Sequence, residues 1–196
     1  MKKFVFETAL LIGLSLSLLV CALAKEEQTD IADKLIRLHV IANSDSDADQ
    51  TLKLKVRDEI LETVESLTNN CATKEDARET IQQNLATLED VANRVCRENG
   101  VPYRATATLE ETGFPTKNYE SFSLPAGNYE ALRIKLGNAS GENWWCVLFP
   151  PLCISAAEAE NSLEESGLSE NEILLVTSDK PEYRLKFKIL EILNNL

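Results

Sequence analysis

The segment WWCVLFPPLC, residues 144–153, decides how the second half of the chain folds. Its first six residues are aromatic or aliphatic apart from one cysteine, a composition typical of a buried strand. The two prolines that follow have no N–H to donate to a sheet. We therefore predict a strand from Trp144 to Phe149 that ends at Pro150. Because successive side chains of a strand point to opposite faces, Trp144 and Trp145 should lie on different sides of the sheet.

Three more strands are predicted upstream of this segment. Residues 35–42 are apolar and β-branched, residues 103–110 alternate, and residues 129–136 alternate again. The glycine-containing turn 137–141 should join the strand at 129–136 to the strand at 144–149 as a hairpin. Residues 114–128 contain two prolines and a glycine, which indicates a loop.

Helices are predicted between the first and second strands. Short polar residues at 43–47 end the first strand and start a helix over 48–68, whose apolar residues recur every three or four positions. Thr73 caps a second helix over 74–98, which ends at Gly100. A short helix near 156–165, an ambiguous apolar segment at 173–176 and a final helix after Pro181 complete the chain.

The predicted fold class is therefore α+β. The sheet is mostly antiparallel and has about four strands, a helical hairpin is inserted after the first strand, and a C-terminal helix packs on the sheet. The chain of 196 residues is long enough for one domain with a substantial core.

The N-terminus is predicted to be a secretory signal peptide. Lys2 and Lys3 precede an apolar stretch from Ala9 to Ala24, and Ala22-Leu23-Ala24 has the small-x-small pattern of a cleavage site. Residues 1–24 would then be removed, and residues 25–196 would form a single domain. The alternative is an uncleaved N-terminal anchor that keeps the protein at the membrane.

The overall charge limits the classes of partner. The formal net charge is −12, and such a surface repels nucleic acid and anionic lipid headgroups. We expect no nucleic-acid binding and no direct lipid binding beyond the signal segment. A neutral or basic protein partner suits this charge.

The cysteines divide into two kinds. Cys71 and Cys96 lie near the two ends of the second predicted helix, some 34 Å apart if that helix is continuous, so they should not pair. Cys96 is expected to be a buried thiol. Cys146 and Cys153 are separated by a segment with two prolines that can fold back, and a disulfide between them would contribute about 2.5 kcal/mol. Free or redox-active thiols are the alternative for this pair.

Three sequence blocks resemble the stage II sporulation protein R family. They are LIRLHVIANSDSD at 35–47 with KLKVRDEI at 53–60, LPAGNYEALRIKLG at 124–137, and NWWCVLFPPLC at 143–153. The resemblance implies a signalling protein of endospore-forming bacteria. Such a protein is secreted from the forespore into the intermembrane space of the sporulation septum. There it activates a membrane-embedded aspartic protease of the mother cell, which removes the pro-sequence of the sporulation sigma-E factor.

No catalytic residues, cofactors or metals are predicted. His39 is the only histidine, and a hydrogen-bonded structural role is preferred over that of a general base. The alternative function is a small extracytoplasmic hydrolase that uses His39 with the Asn43–Asp49 loop. The acidic run 45–49 imitates the start of a calcium loop, but Gln50 and Val56 stand where that loop needs glycine and glutamate. Helix capping is therefore the preferred role for this run.

A partner-binding surface is predicted on loops at strand ends, because loops on a rigid sheet commonly carry recognition. An exposed tryptophan is also a typical interface anchor. The predicted docking residues are Asn43, Ser44 and Asp45 from one loop, and Trp145, Phe149, Pro150 and Pro151 from the other. A secreted domain with a purely structural role is the remaining possibility.

Overall fold

The structure is a computed structural model that describes residues 2–119, 122–151 and 168–177. The helices predicted near 156–165 and after Pro181 lie outside the described residues, as does Cys153. The described chain has an α+β fold, as predicted.

The centre of the molecule is a four-stranded sheet of β1 (Ile36–Ile41), β2 (Ala105–Phe114), β5 (Gly127–Leu136) and β6 (Asn143–Phe149). The order of the strands in the sheet is β2–β5–β1–β6. All six residues of β1 are buried, as is usual for a strand covered on both faces. β1 pairs in parallel with β5 and antiparallel with β6, and β2 pairs antiparallel with β5. The sheet is thus mostly antiparallel with one parallel pair.

The predicted hairpin between residues 129–136 and 144–149 is wrong. β1 lies between β5 and β6 and pairs with both, so the turn at 137–141 crosses over the end of β1 instead of joining neighbouring strands. The turn residues and strand lengths were compatible with a hairpin. However, all six residues of β1 are buried, which fits the central position, where both faces of a strand are covered.

The helices between β1 and β2 are α2 (Asp47–Thr68), α3 (Lys74–Gln83) and α4 (Leu85–Glu98). Ser46 and Thr73 cap α2 and α3, because their hydroxyls accept the backbone N–H of the residue three positions later. The prediction of a single helix over 74–98 is wrong, because α3 ends before Asn84 and α4 begins after it. The Asn84 side chain donates to Thr80 O at 2.8 Å, and this local bond competes with the regular helical pattern.

Two apolar clusters occupy the two faces of the sheet. The helical face holds Leu38, Val40, Leu132, Ile134 and Leu148 together with the apolar stripes of α2–α4. The opposite face, which we call the aromatic face, is built by Phe114, Phe122, Tyr129, Val147 and residues at both ends of the described chain. Each fully buried large apolar side chain contributes about 1.5–3 kcal/mol to folding, so both clusters stabilise the domain.

The region predicted as a loop over 114–128 is partly ordered into strands. β2 continues to Phe114, and β5 already begins at Gly127. Between them lie the two-residue strands β3 (Lys117–Asn118) and β4 (Ser123–Leu124), which pair with each other. This small β3–β4 hairpin covers part of the aromatic face through Phe122 and Leu124, which are both buried.

The N-terminal helix α1 (Lys2–Ala32) has two different parts. The large apolar side chains between Phe4 and Leu19 are all more than half exposed, whereas Ile31 and Ala32 are buried in the cluster on the aromatic face. Within the described residues, no helix combines the length and the apolar character needed to cross a membrane. The signal peptide over 1–24 and the single domain over 25–196 stay predictions.

The last described helix, α5 (Glu170–Thr177), covers the segment whose structure was ambiguous in the sequence. Its Ile173 and Val176 are buried on the aromatic face. Glu172 accepts two hydrogen bonds of 2.7 Å from Lys34 Nζ, which ties α5 to the start of β1.

Candidate functional site

The loop that follows β1 is held by hydrogen bonds within the protein. Asn43 Nδ2 donates to Asp49 Oδ2 at 2.9 Å, and Ser44 Oγ donates to the same oxygen at 2.5 Å. The other Asp49 oxygen accepts the hydroxyl of Tyr103, from the connection between α4 and β2. These bonds, led by the one from Ser44, lower the pKa of Asp49. Burial and the same carboxylate raise the pKa of Tyr103.

The turn between β5 and β6 packs directly against this loop. Asn43 Oδ1 accepts the N–H of Asn138 at 2.9 Å, and Asp45 Oδ1 accepts the N–H of Glu142 at 2.7 Å. The approach is so close that a Cβ on Gly137 would lie 2.3 Å from Asn43 Oδ1, and one on Gly141 would lie 2.2 Å from the backbone oxygen of Ser44. The glycines of this turn are therefore needed for packing.

The Asn43–Asp49 loop is thus fixed by internal hydrogen bonds, and its exposed residues 45–48 form what we call its rim. Asn43 and Ser44 are half-buried and use their polar atoms internally, whereas residues 45–48 are exposed. Asp49 is buried, with both carboxylate oxygens engaged. Among the described residues, no group of three or more histidine, cysteine or acidic side chains is arranged to hold a metal.

His39 is a hydrogen-bonded, buried histidine, as preferred from the sequence. Only 4% of it is exposed, and its Nε2 lies 2.8 Å from Asn143 Oδ1. Since an amide oxygen can only accept, Nε2 carries the proton of the neutral ring. Burial lowers the pKa of His39 to about 4, opposed by the Asn143 bond and assisted by Arg133, Lys135 and Arg37.

The geometry does not bring His39 to the Asn43–Asp49 loop as a catalytic pair. Its ring stacks on Trp145 at 3.9 Å on the aromatic face, whereas α2, which contains Asp49, packs on the helical face. The charged groups that influence its pKa are all cations. A general base needs contact with the proton it removes, and the contacts of this ring are an amide and aromatic side chains.

The two tryptophans lie on opposite faces, as predicted. Trp144 packs with the cluster on the helical face, where Arg57 lies 4.3 Å over its ring. Trp145 packs on the aromatic face, with Phe114 at 4.8 Å in an edge arrangement. Both tryptophans are partly buried.

The loops that carry most of the predicted docking residues lie in two separate places, and Trp145 lies between them, paired with His39 in the middle of β1. Asn43, Ser44 and Asp45 follow the last residue of β1, whereas Phe149 pairs with Ile36 at its first residue. A strand of six residues is about 20 Å long, so the two loops lie at opposite ends of the sheet. Phe149 and Pro150 are buried, and Pro151 is exposed. The docking surface stays a prediction, and its two halves do not form one patch.

The described cysteines follow the predicted division. Cys71 and Cys96 are free thiols, and Cys96 is buried, which raises its pKa. Cys146 is disulfide-bonded. Because Cys153 lies outside the described residues, its pairing with Cys146 stays a prediction.

Comparison with known proteins identifies the family. A family model described as Stage II sporulation protein R matches residues 32–159. The chain belongs to the stage II sporulation protein R family. A relative of that name from Bacillus subtilis (strain 168) is 37% identical over 190 residues, covering 91% of this chain and 84% of the relative. No solved structure matches. Membership of the stage II sporulation protein R family indicates a role in sporulation.

Sequence reasoning placed Arg37 on the same face as His39 but did not single it out as a functional residue, and it did not connect Asn143 with His39. Arg37 is fully buried on the aromatic face, two residues before His39 in β1. The available signal was a basic residue and a histidine at alternate positions of an otherwise apolar strand. This pattern places both side chains on one buried face.

Proposed function

We propose that this protein is an exported signal that activates a membrane-embedded aspartic protease during sporulation. It would leave the forespore, reach the intermembrane space of the septum, and bind the mother-cell protease from outside the cytosol. The protease would then remove the pro-sequence of sigma-E. The observation that carries the proposal is family membership, since the relative matches over 91% of the chain.

The N-terminal segment supports export. Its apolar side chains from Phe4 to Leu19 are exposed and make no part of either core. Apolar surface of this extent is unfavourable in water, whereas an export signal carries such a stretch until it is cleaved. In this proposal the segment is removed after Ala24; retention as an anchor is the alternative outcome.

The surroundings of His39 favour recognition over catalysis. The only histidine is almost completely buried and neutral near pH 7. Recognition can change an enzyme's activity if the partner binds its active state more tightly than its inactive state. The protein would therefore supply differential affinity, and the protease would supply the chemistry.

Among the predicted docking residues, Asp45 lies on the exposed rim of the Asn43–Asp49 loop, and we extend the docking surface along this rim to residues 46–48. Residues 45–48 are exposed, and the backbone just before them is held because Ser140 and Gly141 donate to the backbone oxygens of Asn43 and Ala42. A rim that is already rigid loses little conformational entropy on binding. Asp47 is an exposed carboxylate on this rim and can be changed without touching the Asp49 network.

The decisive experiment is reconstitution in a non-sporulating host. This chain, the protease and the sigma-E precursor would be produced together, and processing would be followed by immunoblot. Processing should increase when this chain is present, compared with the same host without it. No increase at normal levels of all three proteins would contradict the proposal.

The docking rim can be tested in the same host. Asp47→Lys should reduce processing because it reverses a charge on the rim, whereas Glu62→Lys makes the same change on an exposed position of α2 away from the loop. Equal processing by both variants at equal protein levels would remove the rim from the interface. It would leave the activation proposal intact.

A further inference from the structure

β2 is an edge strand, because β5 is its only neighbour among the described strands of the sheet. The pairing of β2 with β5 runs without a bulge from Ala105 to Phe114. In such a regular antiparallel pair, every second residue directs its backbone N–H and C=O toward the partner strand, and the residues between them direct theirs outward. The outer edge of β2 therefore presents a row of backbone groups that no strand of the described chain pairs with.

Helix α4 covers the first part of this edge. The side chain of Asn93 accepts the N–H of Ala105 at 2.9 Å and donates to the C=O of the same residue at 3.0 Å, as a neighbouring strand would. One helical turn earlier, Glu89 accepts the N–H of Ala107 at 3.1 Å. The outward N–H groups of Ala105 and Ala107 are thus already satisfied within the protein.

The cover ends where α4 begins. Leu85, the first residue of α4, holds the next position of the helical row that covers the edge, and its side chain cannot accept a hydrogen bond. Because outward positions alternate along a regular strand, the next outward residues of β2 are Leu109, Glu111 and Gly113. Within the described chain, their outward backbone groups make no hydrogen bond. We call this part of β2, Leu109–Gly113, the open half of the edge.

The open half is accessible and lacks the usual features that prevent strand pairing. Glu111 and Gly113 are exposed, and Leu109 is half-buried. The sequence LEETG of this part contains no proline or lysine, and its register has no bulge. The charge of Glu111 opposes only a strand that is also acidic at the facing position. An extended chain added to this edge can therefore form main-chain hydrogen bonds along all three outward residues.

Glu111 determines which kind of strand fits. Its neighbour across the sheet is Glu130, whose carboxylate is already paired with Arg78 at 2.6 Å. Glu111 itself forms no ion pair within the described residues. A lysine or arginine opposite Glu111 in an added strand would complete a favourable cross-strand pair.

A second copy of this chain fits the edge less well. Antiparallel pairing of two open halves about Glu111 would place the two Glu111 carboxylates opposite each other, which is unfavourable. The net charge of −12 adds a general repulsion between copies. These charges favour a basic partner over a second copy.

We propose that the open half of β2 binds an extended strand of a partner protein that places a lysine or arginine opposite Glu111. This surface is separate from the rim of the Asn43–Asp49 loop. Glu111 is aligned through Glu130 with Ile36, the first residue of β1, whereas the rim follows the last residue of β1. The proposal goes beyond the proposed signalling function and does not depend on it.

The test is an NMR titration of the purified full-length chain in a non-ionic detergent. The probe is a capped heptapeptide in which valine alternates with lysine, added up to the millimolar range because a short flexible peptide loses conformational entropy on binding. The N–H signals of Leu109, Glu111 and Gly113 should shift saturably, and their hydrogen exchange should slow. Ala105 and Ala107 are internal controls, since their N–H groups are already bonded to α4. Absence of these changes, or equal changes at the two alanines, would overturn the proposal.

Two control peptides separate strand addition from a general attraction between charges. A lysine opposite Glu111 directs its backbone N–H toward β2, so methylation of the lysine backbone nitrogens should abolish the shifts while every charge remains. Replacement of the lysines by glutamates should raise the Kd about fivefold, as expected for the loss of a favourable cross-strand pair. Equal binding by either control peptide would contradict an added strand paired with Glu111.

Glu111→Lys tests the charge while leaving the main-chain groups of the edge in place. It should raise the Kd for the lysine peptide about fivefold and lower the Kd for the glutamate peptide by a similar factor. Glu62→Lys makes the same change at an exposed position of α2 and should leave both values unchanged. An unchanged preference between the peptides in Glu111→Lys would overturn the choice of a basic strand.

The same signals distinguish a second copy from a partner strand. Hydrogen exchange at the open half that slows as the protein concentration rises, in the absence of any peptide, would assign the edge to a second copy and overturn the proposal. Because these measurements need no protease, failure of this proposal can be distinguished from failure of the proposed signalling function.

Discussion

The variant His39→Phe should be less stable than the wild type at pH 7, and this difference in the free energy of unfolding should disappear as the pH falls towards 5. Burial lowers the pKa of His39 from 6.5 to about 4 in the folded protein. Between these values the unfolded chain binds a proton that the native state does not, so the stability of the wild type rises with pH. These two pKa values give a loss of about 2 kcal/mol between pH 7 and pH 5.

The variant lacks this titration but also lacks the hydrogen bond to Asn143. Asn143 is an exposed residue whose amide oxygen water can reach, so the cost at every pH is that of one ordinary hydrogen bond, about 1 kcal/mol. The variant should therefore be less stable than the wild type at pH 7, and the two free energies of unfolding should become equal between pH 7 and pH 5, because the wild type loses about 2 kcal/mol over this range. Because His39 is the only histidine, other titrating groups are common to both chains and largely cancel.

Urea unfolding followed by circular dichroism between pH 5 and pH 7.5 measures this difference. A signal from the single imidazole in NMR gives the native pKa directly. If the stability difference stayed constant within about 0.5 kcal/mol over this range, or if the imidazole titrated near 6.5, the account of a desolvated neutral ring would be wrong.

Three other perturbations have defined outcomes. Gly137→Ala combines a φ of +54° with a 2.3 Å clash, so it should lower the free energy of unfolding by more than about 2 kcal/mol. Gly100 has a φ of +69° but open space around it, so Gly100→Ala should lower the free energy of unfolding by only about 1 kcal/mol. Thermal unfolding measures both values. Asp49→Asn should lower the free energy of unfolding by about 2–3 kcal/mol, because three side chains donate to this carboxylate. Asp47→Asn should leave the free energy of unfolding nearly unchanged. Equal effects of the two substitutions would contradict the structural role of the Asp49 hydrogen bonds. Cys153→Ala should free one thiol on β6, counted by maleimide labelling without reduction, and should remove about 2.5 kcal/mol; an unchanged thiol count would exclude the predicted disulfide.

Most strands and helices were predictable because their side chains follow a local period. The alternation in residues 129–136 and the prolines after Phe149 correspond to real strand positions, and Ser46 and Thr73 cap helices through local hydrogen bonds. The break at Asn84 was not predictable in this way. The apolar positions of the predicted helix continue across it, and the bond from its side chain to Thr80 becomes visible only in the structure.

Strand order and the environment of the site depend on distant residues. Nothing near residues 137–141 indicates that β1 separates β5 from β6, because that arrangement depends on pairing with residues far upstream in the chain. For the same reason, Arg37 could be placed on one face with His39 but could not be seen to lie beneath Phe114. That contact joins residues 77 positions apart in the chain.

The central position of β1 has a consequence for the order in which the molecule can be assembled. Its two partners, β5 and β6, come from residues 127–149, far downstream of β1 itself. A chain that crosses a membrane from its N-terminus would deliver β1 long before either partner. Contacts between such distant segments form slowly. The early part of the chain would therefore stay unfolded while it crosses the membrane, and the sheet would form only on the far side.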